Sequence, residues 1–452
     1  MRIIIAGDGK VGQMLTGQLS GEGHDLTLID NNPTALEATI ERYDVMTIEG
    51  NCASMEVLRS AGVEEADLLI TATGMDELNL LCCLTAHGMN PGLHTIARIR
   101  TPDYFESAYA MRKFFALSLI VNPERQVARE IERLLRYPGF LKRETFVHGL
   151  VEIVELKIEE GNVLDGMPLH RLTEVTHVQI LVCTVVRDGK AVAPSGDFVL
   201  MAGDHIYVTG ASRNLSLLLK NIGIVTPKVR NVVIAGGGQN CYYLTQILIR
   251  EGVQVKIIEP NRARCEKLAE VFPMATIIEG DVSIRSVLER ERVHEADALV
   301  SMTGLDELNV ILSMYANSMN VPLVVTKLGR GENMQLLEKL PVGGIVSPKE
   351  LCCDTITRYV RAMGNQVGGA VTVHTIADGQ AEAIEFVVDT NMKHTGEPLK
   401  KLRLRKNVLV ASITHGRNIE VPNGDSVMEP GDRVVIVTNE DAVIHDLNDI
   451  FI

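Results

Sequence analysis

Two acidic residues, Asp30 and Glu259, stand twenty-three positions after the first glycine of two glycine-rich turns, Gly7-Asp8-Gly9-Lys10-Val11-Gly12 and Gly236-Gly237-Gly238-Gln239-Asn240-Cys241. Each turn follows an apolar run, Ile3-Ile4-Ile5 or Val232-Val233-Ile234, and opens a helical pattern. That order has a chemistry. Glycines permit a tight turn and close backbone approach to phosphate. The helix N-terminus offers unpaired N–H groups and a positive dipole, and an acid ending the next strand accepts ribose hydroxyls. Two nucleotide pockets in one chain are expected, which suggests a sensing device.

The first turn is a full G-x-G-x-x-G through Gly7, Gly9 and Gly12; a structural strand-to-helix turn is the alternative. Lys10 projects from it, either to pair a terminal phosphate, including one held by a neighbouring subunit, or to sit solvated at a helix start. Asp30 can take both ribose hydroxyls and would repel a 2′-phosphate, which disfavours NADP. The same contact serves NAD(H), ATP, ADP and AMP; capping of the next helix is the competing role. The second turn departs at Cys241, in the third glycine position, with Tyr242 and Tyr243 crowding the same helix start. That glycine serves helix-to-strand packing, so a small cysteine fits with a slight shift, and the affinity or ligand is expected to differ.

Other candidates fall at the carboxyl edges of the predicted strands, where an open α/β sheet binds ligands. Asn51, Cys52 and Asp281 follow the third strands, Thr73 and Thr303 follow the fourth, and Arg98 and Lys327 end the fifth. Asn51 and Asp281 either touch adenosine or form turns. Arg98 and Lys327 face phosphate or an interdomain carboxylate. Asp76 and Asp306 fall in first helical turns, where capping is expected. The basic run Lys400, Lys401, Arg403, Arg405 and Lys406 reads as a solvated face, with an acidic partner surface or a second nucleotide as the alternative.

The elements that must position these residues repeat as a block. Thr73-Gly74-Met75-Asp76-Glu77-Leu78-Asn79 answers to Thr303-Gly304-Leu305-Asp306-Glu307-Leu308-Asn309, and Gly166-Met167-Pro168-Leu169 to Gly396-Glu397-Pro398-Leu399, each 230 positions on. A period this long is a tandem duplication of a two-domain unit rather than a solenoid. Strands near 2–6, 25–30, 44–48, 67–71 and 94–98 alternate with helices starting near 10, 33, 54, 75 and 103, which predicts a parallel sheet covered on both faces. A sixth strand near 117–121 leads into a helix from Pro123 whose Val127, Ile131, Leu134 and Leu135 form an apolar side left over for a partner. Pro138-Gly139 ends it. Short alternating strands with turns such as Asp188-Gly189 then imply a small α+β module. The second unit follows the same plan with strands near 231–235, 253–259, 276–279, 297–301 and 323–327 and a helix near 349–363. Pro227-Lys228 marks the join, and Gly364 with Gly368-Gly369 the second internal hinge. The expected domains are 1–141, 142–227, 228–366 and 367–452.

At 452 residues the chain is too long for one core. Its apolar runs stop short of the roughly 18 residues that cross a bilayer, and no charged-then-apolar leader opens it. A soluble cytoplasmic protein is expected, without direct membrane insertion. The net charge of −14 would repel nucleic acid and anionic lipid, so membrane association should run through a protein partner. Eight cysteines include no C-x-x-C pair, and the vicinal Cys82-Cys83 and Cys352-Cys353 read as small buried hydrophobes rather than metal ligands.

The double turn with its distal acids, the D-E-x-N segments, Ala97-Arg98, and the G-x-P-L, P-x-G-D and G-D signatures of the small modules together resemble regulator of potassium conductance (RCK, or KTN) domains. In tandem, over the full chain, they resemble the peripheral components of Trk-type potassium uptake systems. The resemblance implies Rossmann-like domains, each followed by a crossover helix and a small C-terminal RCK domain. It further implies a homo-oligomeric ring at the inner face of the plasma membrane, under a potassium-translocating subunit, with nucleotide binding controlling potassium entry rather than catalysis. An NAD-dependent oxidoreductase and a non-binding scaffold are the competing readings. No Ser/Tyr/Lys or His/Asp constellation favours the first.

Overall fold

Alternation of apolar strands with amphipathic helices produces, in this computed structural model, four sheets. The described residues are 1–136, 140, 143–224, 228–329, 340–364, 370–416, 418–439, 444 and 446–452. The breaks expected at Pro138-Gly139, Pro227 and Gly368-Gly369 lie outside them. The first sheet comprises β1 (Arg2–Ala6), β2 (Asp25–Asp30), β3 (Met46–Glu49), β4 (Leu68–Thr71), β5 (His94–Arg98) and β6 (Leu119–Val121), all parallel in the order 3-2-1-4-5-6. The second is antiparallel: β7 (Arg143–Phe146), β8 (Val151–Lys157), β9 (Leu181–Arg187), β10 (Lys190–Val192) and β11 (His205–Ala211), ordered 10-9-11-8-7. The third repeats the first with β12 (Asn231–Ala235), β13 (Gln254–Glu259), β14 (Thr276–Glu279), β15 (Ala298–Ser301), β16 (Leu323–Lys327) and β17 (Gly344–Val346), ordered 14-13-12-15-16-17. The fourth repeats the second with β18 (Ala370–Ile376), β19 (Ala381–Val387), β20 (Val408–His415), β21 (Asn418–Glu420) and β22 (Arg433–Asn439).

The chain divides into two compact units, residues 1–136 with 228–357 and residues 137–227 with 358–452. Both parallel sheets lie in the first unit. There the helix Pro123–Arg136, whose apolar side lacks a partner in its own repeat, finds one in the other: Val127, Ala128, Ile131 and Leu135 are buried against Val232, Tyr243, Leu244 and Ile257. The helix Pro348–Gly364 returns the exchange, with Cys353 Sγ 3.8 Å from the Val11 carbonyl and Thr357 Oγ1 donating to Gln18 at 3.1 Å. Gln126 Nε2 donates to Thr355 Oγ1 at 2.7 Å, so the two exchanged helices also touch. Fully burying a valine, leucine or isoleucine side chain gains about 1.5–3 kcal/mol, so Val127, Ile131 and Leu135 on the first helix hold the repeats together.

In the second unit the small modules share a core of Phe146, Ile153 and Tyr207 with Ile376, Ala383 and Val435. Thr184 Oγ1 and Asn439 Oδ1 meet across it at 3.1 Å, and Val147 N donates to Glu385 at 2.9 Å. Asp188 and Gly189, both with positive φ, make the expected tight turn between β9 and β10. All eight cysteines are buried. Two expectations need adjustment. The third strand starts at Met46 rather than 44, and the second repeat has a sixth strand, β17, the counterpart of β6, where none was expected.

Candidate functional site

Each glycine-rich turn joins the central strand of a parallel sheet to a helix, Lys10–Gly21 or Gln239–Arg250, at the carboxyl edge. Gly7 and Gly236 hold φ of +104° and +103°, which L side chains avoid, and a Cβ on either would press on the backbone of Thr73 or Thr303 at about 3 Å. A Cβ on Gly12 would collide with the Gly7 carbonyl. Gly9 differs: a Cβ there would meet nothing within 4 Å, and its φ of −77° suits any residue. Gly238 shows the same open face. Nothing in the packing of the fold requires these two glycines. Cys241 is fully buried in the helix Gln239–Arg250, at the place Gly12 holds in Lys10–Gly21, with its Sγ 3.7 Å from Thr245 Oγ1, so the departure is absorbed by packing.

The acids grip the turns. Asp30 accepts from the Asp8 amide at 2.6 Å and the Asn32 amide at 2.8 Å. Glu259 accepts from the Gly237 amide at 2.7 Å and the Asn261 amide at 3.0 Å, and Arg264 reaches it at 3.4 Å. Neither acid caps the next helix. Asn32 and Asn261 do that, accepting from Thr34 and Arg264 amides. A carboxylate oxygen has two lone pairs, so a ribose hydroxyl can still be accepted beside each amide. Asp8 is buried, with Oδ2 accepting from Thr39 Oγ1 at 2.7 Å and Oδ1 without a partner among the described residues. Burial, and the nearby Asp30, push its carboxyl above the usual aspartate range despite the Thr39 bond.

Around the second turn the carboxyl edge encloses a cavity of about 530 Å³, within the range that holds small ligands. Gly236–Asn240, Glu259, Asp281, Thr303 and Lys327 all line it, as do Arg264 and Glu124, which the sequence reading did not single out. Lys327 Nζ donates to the Thr303 carbonyl at 2.8 Å, and Arg98 correspondingly reaches the Ala72 carbonyl at 3.3 Å. Burial lowers the affinity of both cations for their protons. Lys10 is exposed at the first turn, and Val11 is buried, leaving only its backbone to the site.

Asn51 and Asp281 form turns: Asn51 Oδ1 accepts from the Ala53 amide at 3.0 Å and Asp281 Oδ1 from the Ser283 amide at 2.9 Å. That amide holds the exposed Asp281 carboxyl below its usual range. Cys52 is buried beneath, its carbonyl 3.0 Å from Cys82 Sγ. The expected capping by Asp76 and Asp306 is not what they do. Asp76 Oδ2 accepts from the Arg100 and Thr101 amides at 3.1 and 2.8 Å, and Asp306 from the Gly329 amide at 2.9 Å, so both tie down the loop after the fifth strand. Asn79 and Asn309, present in the D-E-x-N repeat but given no role above, accept from Thr73 or Thr303 and donate to the carbonyl of Arg98 or Lys327. Each knits two ligand-edge strands together. The basic run is exposed where its side chains are charged, and Lys400 pairs with Asp425.

Comparison with known proteins fits this geometry. The TrkA-N domain family matches residues 3–123 and 232–348, and the TrkA-C domain family residues 153–223 and 383–451. The chain belongs to the TrkA family. A Trk system potassium uptake protein TrkA homolog of Archaeoglobus fulgidus is 31% identical over 98% of both chains. Trk system potassium uptake protein TrkA of Vibrio alginolyticus is 29% identical over 100% of this chain and 98% of its own, and that of Halomonas elongata 31% over the same shares. Among solved structures, the GsuK RCK domain has a TM-score of 0.63 at 17% identity, covering 97% of this chain and 92% of its own. The GsuK channel bound to NAD has the same score and identity over 97% and 77%. At that identity the likeness establishes the RCK fold: two Rossmann-like TrkA-N domains, each followed by a mixed TrkA-C domain. No helix of the described residues is long and apolar enough to cross a membrane.

Proposed function

We propose that this chain is a nucleotide-sensing regulatory subunit. It binds NAD(H), or ATP or ADP, at both glycine-rich turns. As a cytoplasmic homo-oligomeric ring it gates a Trk-type potassium-translocating membrane subunit without consuming the nucleotide. The carrying observation is the pair of turns whose Gly9 and Gly238 face open space while an acid grips the same turn. In this reading Gly7–Gly12 and Gly236–Asn240 cradle phosphate, Asp30 and Glu259 hold ribose, Thr73, Thr303, Arg98 and Lys327 border the phosphates, and Asn51, Cys52 and Asp281 border the adenosine. The domain limits 1–141, 142–227, 228–366 and 367–452 are part of the same proposal. Relatives named as Trk potassium uptake proteins, and the neighbour titled as bound to NAD, support it.

Driving a gate from 1:99 to 99:1 takes about 5.5 kcal/mol of differential binding, more than the roughly 1–3 kcal/mol of one coupling. Several pockets in a ring can share that work. Reconstitution with the co-purified membrane subunit tests the proposal: potassium flux should change when NADH, NAD, ATP or ADP is added. Steady NADH oxidation at enzyme-like rates, or flux indifferent to this chain and to every nucleotide, would overturn it.

A further inference from the structure

The helix Pro123–Arg136 belongs to the first repeat but packs on the second, and its first turn carries Glu124 into the second repeat's cavity. The placement is held. Asn122, just before the helix, accepts from the Arg125 amide at 2.8 Å and donates to Tyr243 OH at 2.9 Å. Tyr243 lies in the helix that starts at the second glycine turn, and its OH lies 3.3 Å from the Arg100 carbonyl, two residues past Arg98. The lock is one-sided. The other exchanged helix has Ser347 and Lys349 where this one has Asn122 and Glu124, and Met14 stands where the second repeat has Tyr243.

Glu124 Oε2 is buried without a hydrogen-bond partner among the described residues. The charged and titratable groups around it come from both repeats: Arg98, Arg100 and Asp76 from the first, and Lys327, Tyr243 and Cys352 from the second. It therefore feels both cations that end the fifth strands, Lys327, with which it lines the cavity, and Arg98. We infer that the second pocket is a composite of both repeats, in which Glu124 is a ligand-facing acid that couples an anionic nucleotide there to Arg98 of the first pocket. This rests on the nucleotide reading above.

The consequence follows from charge. A diphosphate entering the second pocket draws on Lys327 and stands near a buried carboxylate that desolvation already disposes to hold a proton. Glu124 takes up a proton. Arg98 loses its anionic neighbour and becomes a better partner for phosphate in the first pocket. Binding at the second pocket should thus weaken as pH rises, and occupancy of one pocket should strengthen the other about five- to tenfold.

The test is calorimetric titration of the full chain with NAD, whose diphosphate keeps its charge near neutrality, in buffers of different ionisation enthalpy. Wild type, Glu124→Gln and Glu124→Asp are compared, each without Gly9→Val to read coupling between the pockets and with Gly9→Val to isolate proton uptake at the second. Wild type should take up protons, Glu124→Gln should bind more tightly at neutral pH without uptake and without coupling, and Glu124→Asp should restore uptake. Proton uptake and coupling that survive in Glu124→Gln would overturn the inference and assign them to Lys327, leaving nucleotide binding intact. Wild type that binds no NAD, ATP or ADP at either pocket would overturn the nucleotide reading itself.

Discussion

In the first turn an aspartate faces an aspartate; in the second, a glycine faces a glutamate. Asp8 is buried against Asp30 and hydrogen-bonded by Thr39. At the equivalent places stand Gly237, Glu259 and Leu268. A Cβ on Gly237 would come within 2.8 Å of Leu268 Cδ1 and 3.1 Å of Glu259 Cγ, so the longer acid and the leucine fill what the Asp8 side chain fills in the first copy. The three positions change as a set. The difference shows that both acids share a structural role, holding the turn's amide at 2.6–2.7 Å. How the space behind it is filled is free to vary, provided it stays filled.

The largest expected effect separates the two pockets outright. Gly9→Val meets open space in the folded chain, so it should leave stability unchanged and lower nucleotide affinity at the first pocket at least a hundredfold, about 3 kcal/mol. Gly238→Val should do the same at the second. A titration that still counts two nucleotides per chain in Gly9→Val would place the phosphate elsewhere.

Transplanting the first turn into the second probes the set of three. Gly237→Asp alone should cost about 2–3 kcal/mol of stability, because it buries a carboxylate against Leu268 and Glu259 without a partner. Adding Leu268→Thr and Glu259→Asp should recover most of that, a non-additivity of roughly 0.5–3 kcal/mol in denaturant unfolding. Strict additivity would mean that the three positions are independent.

Asp30→Ala should weaken nucleotide binding by about 1.5–3 kcal/mol, the range for hydrogen bonds to a charged group. Calorimetry on the folded variant giving wild-type affinity would remove Asp30 from the ribose. The smallest effect concerns pH. The folded Asp8 carboxyl lies above its ordinary value, so its favourable contribution is complete below the ordinary aspartate range and is lost as pH rises through the raised value. Asp8→Asn should therefore be more stable than wild type near neutrality by about 1 kcal/mol, with the gap closing in acid. A gap that widens on acidification would reverse the sign.

Much of this was legible in the chain. The turn at Gly7 needs positive φ, the strands are continuous apolar runs, and the block repeats, so the parallel sheets and the placement of Asp30, Glu259, Thr73 and Lys327 at their carboxyl edges follow from local rules, whereas the strand order does not. Asn79 and Asn309 were visible as repeated letters without a role, since a buried asparagine bridging two strands leaves no periodic trace. Asp76 looked like a cap because it stands in a first turn. Its carboxylate instead binds amides of a loop 24 and 25 positions on, a contact that propensity does not encode.

By itself the sequence determined what depends on neighbouring residues: the duplicated α/β plan, the two glycine turns, the acid twenty-three residues beyond each, and the apolar face of the helix Pro123–Arg136. The tertiary structure decided where that face goes. It crosses to the other repeat, carrying Glu124 into a cavity whose glycines lie more than a hundred residues away. An amphipathic period specifies that a helix must bury one side, but any apolar surface of the right shape satisfies it. The choice between two nearly equivalent sheets is made by packing across the whole unit.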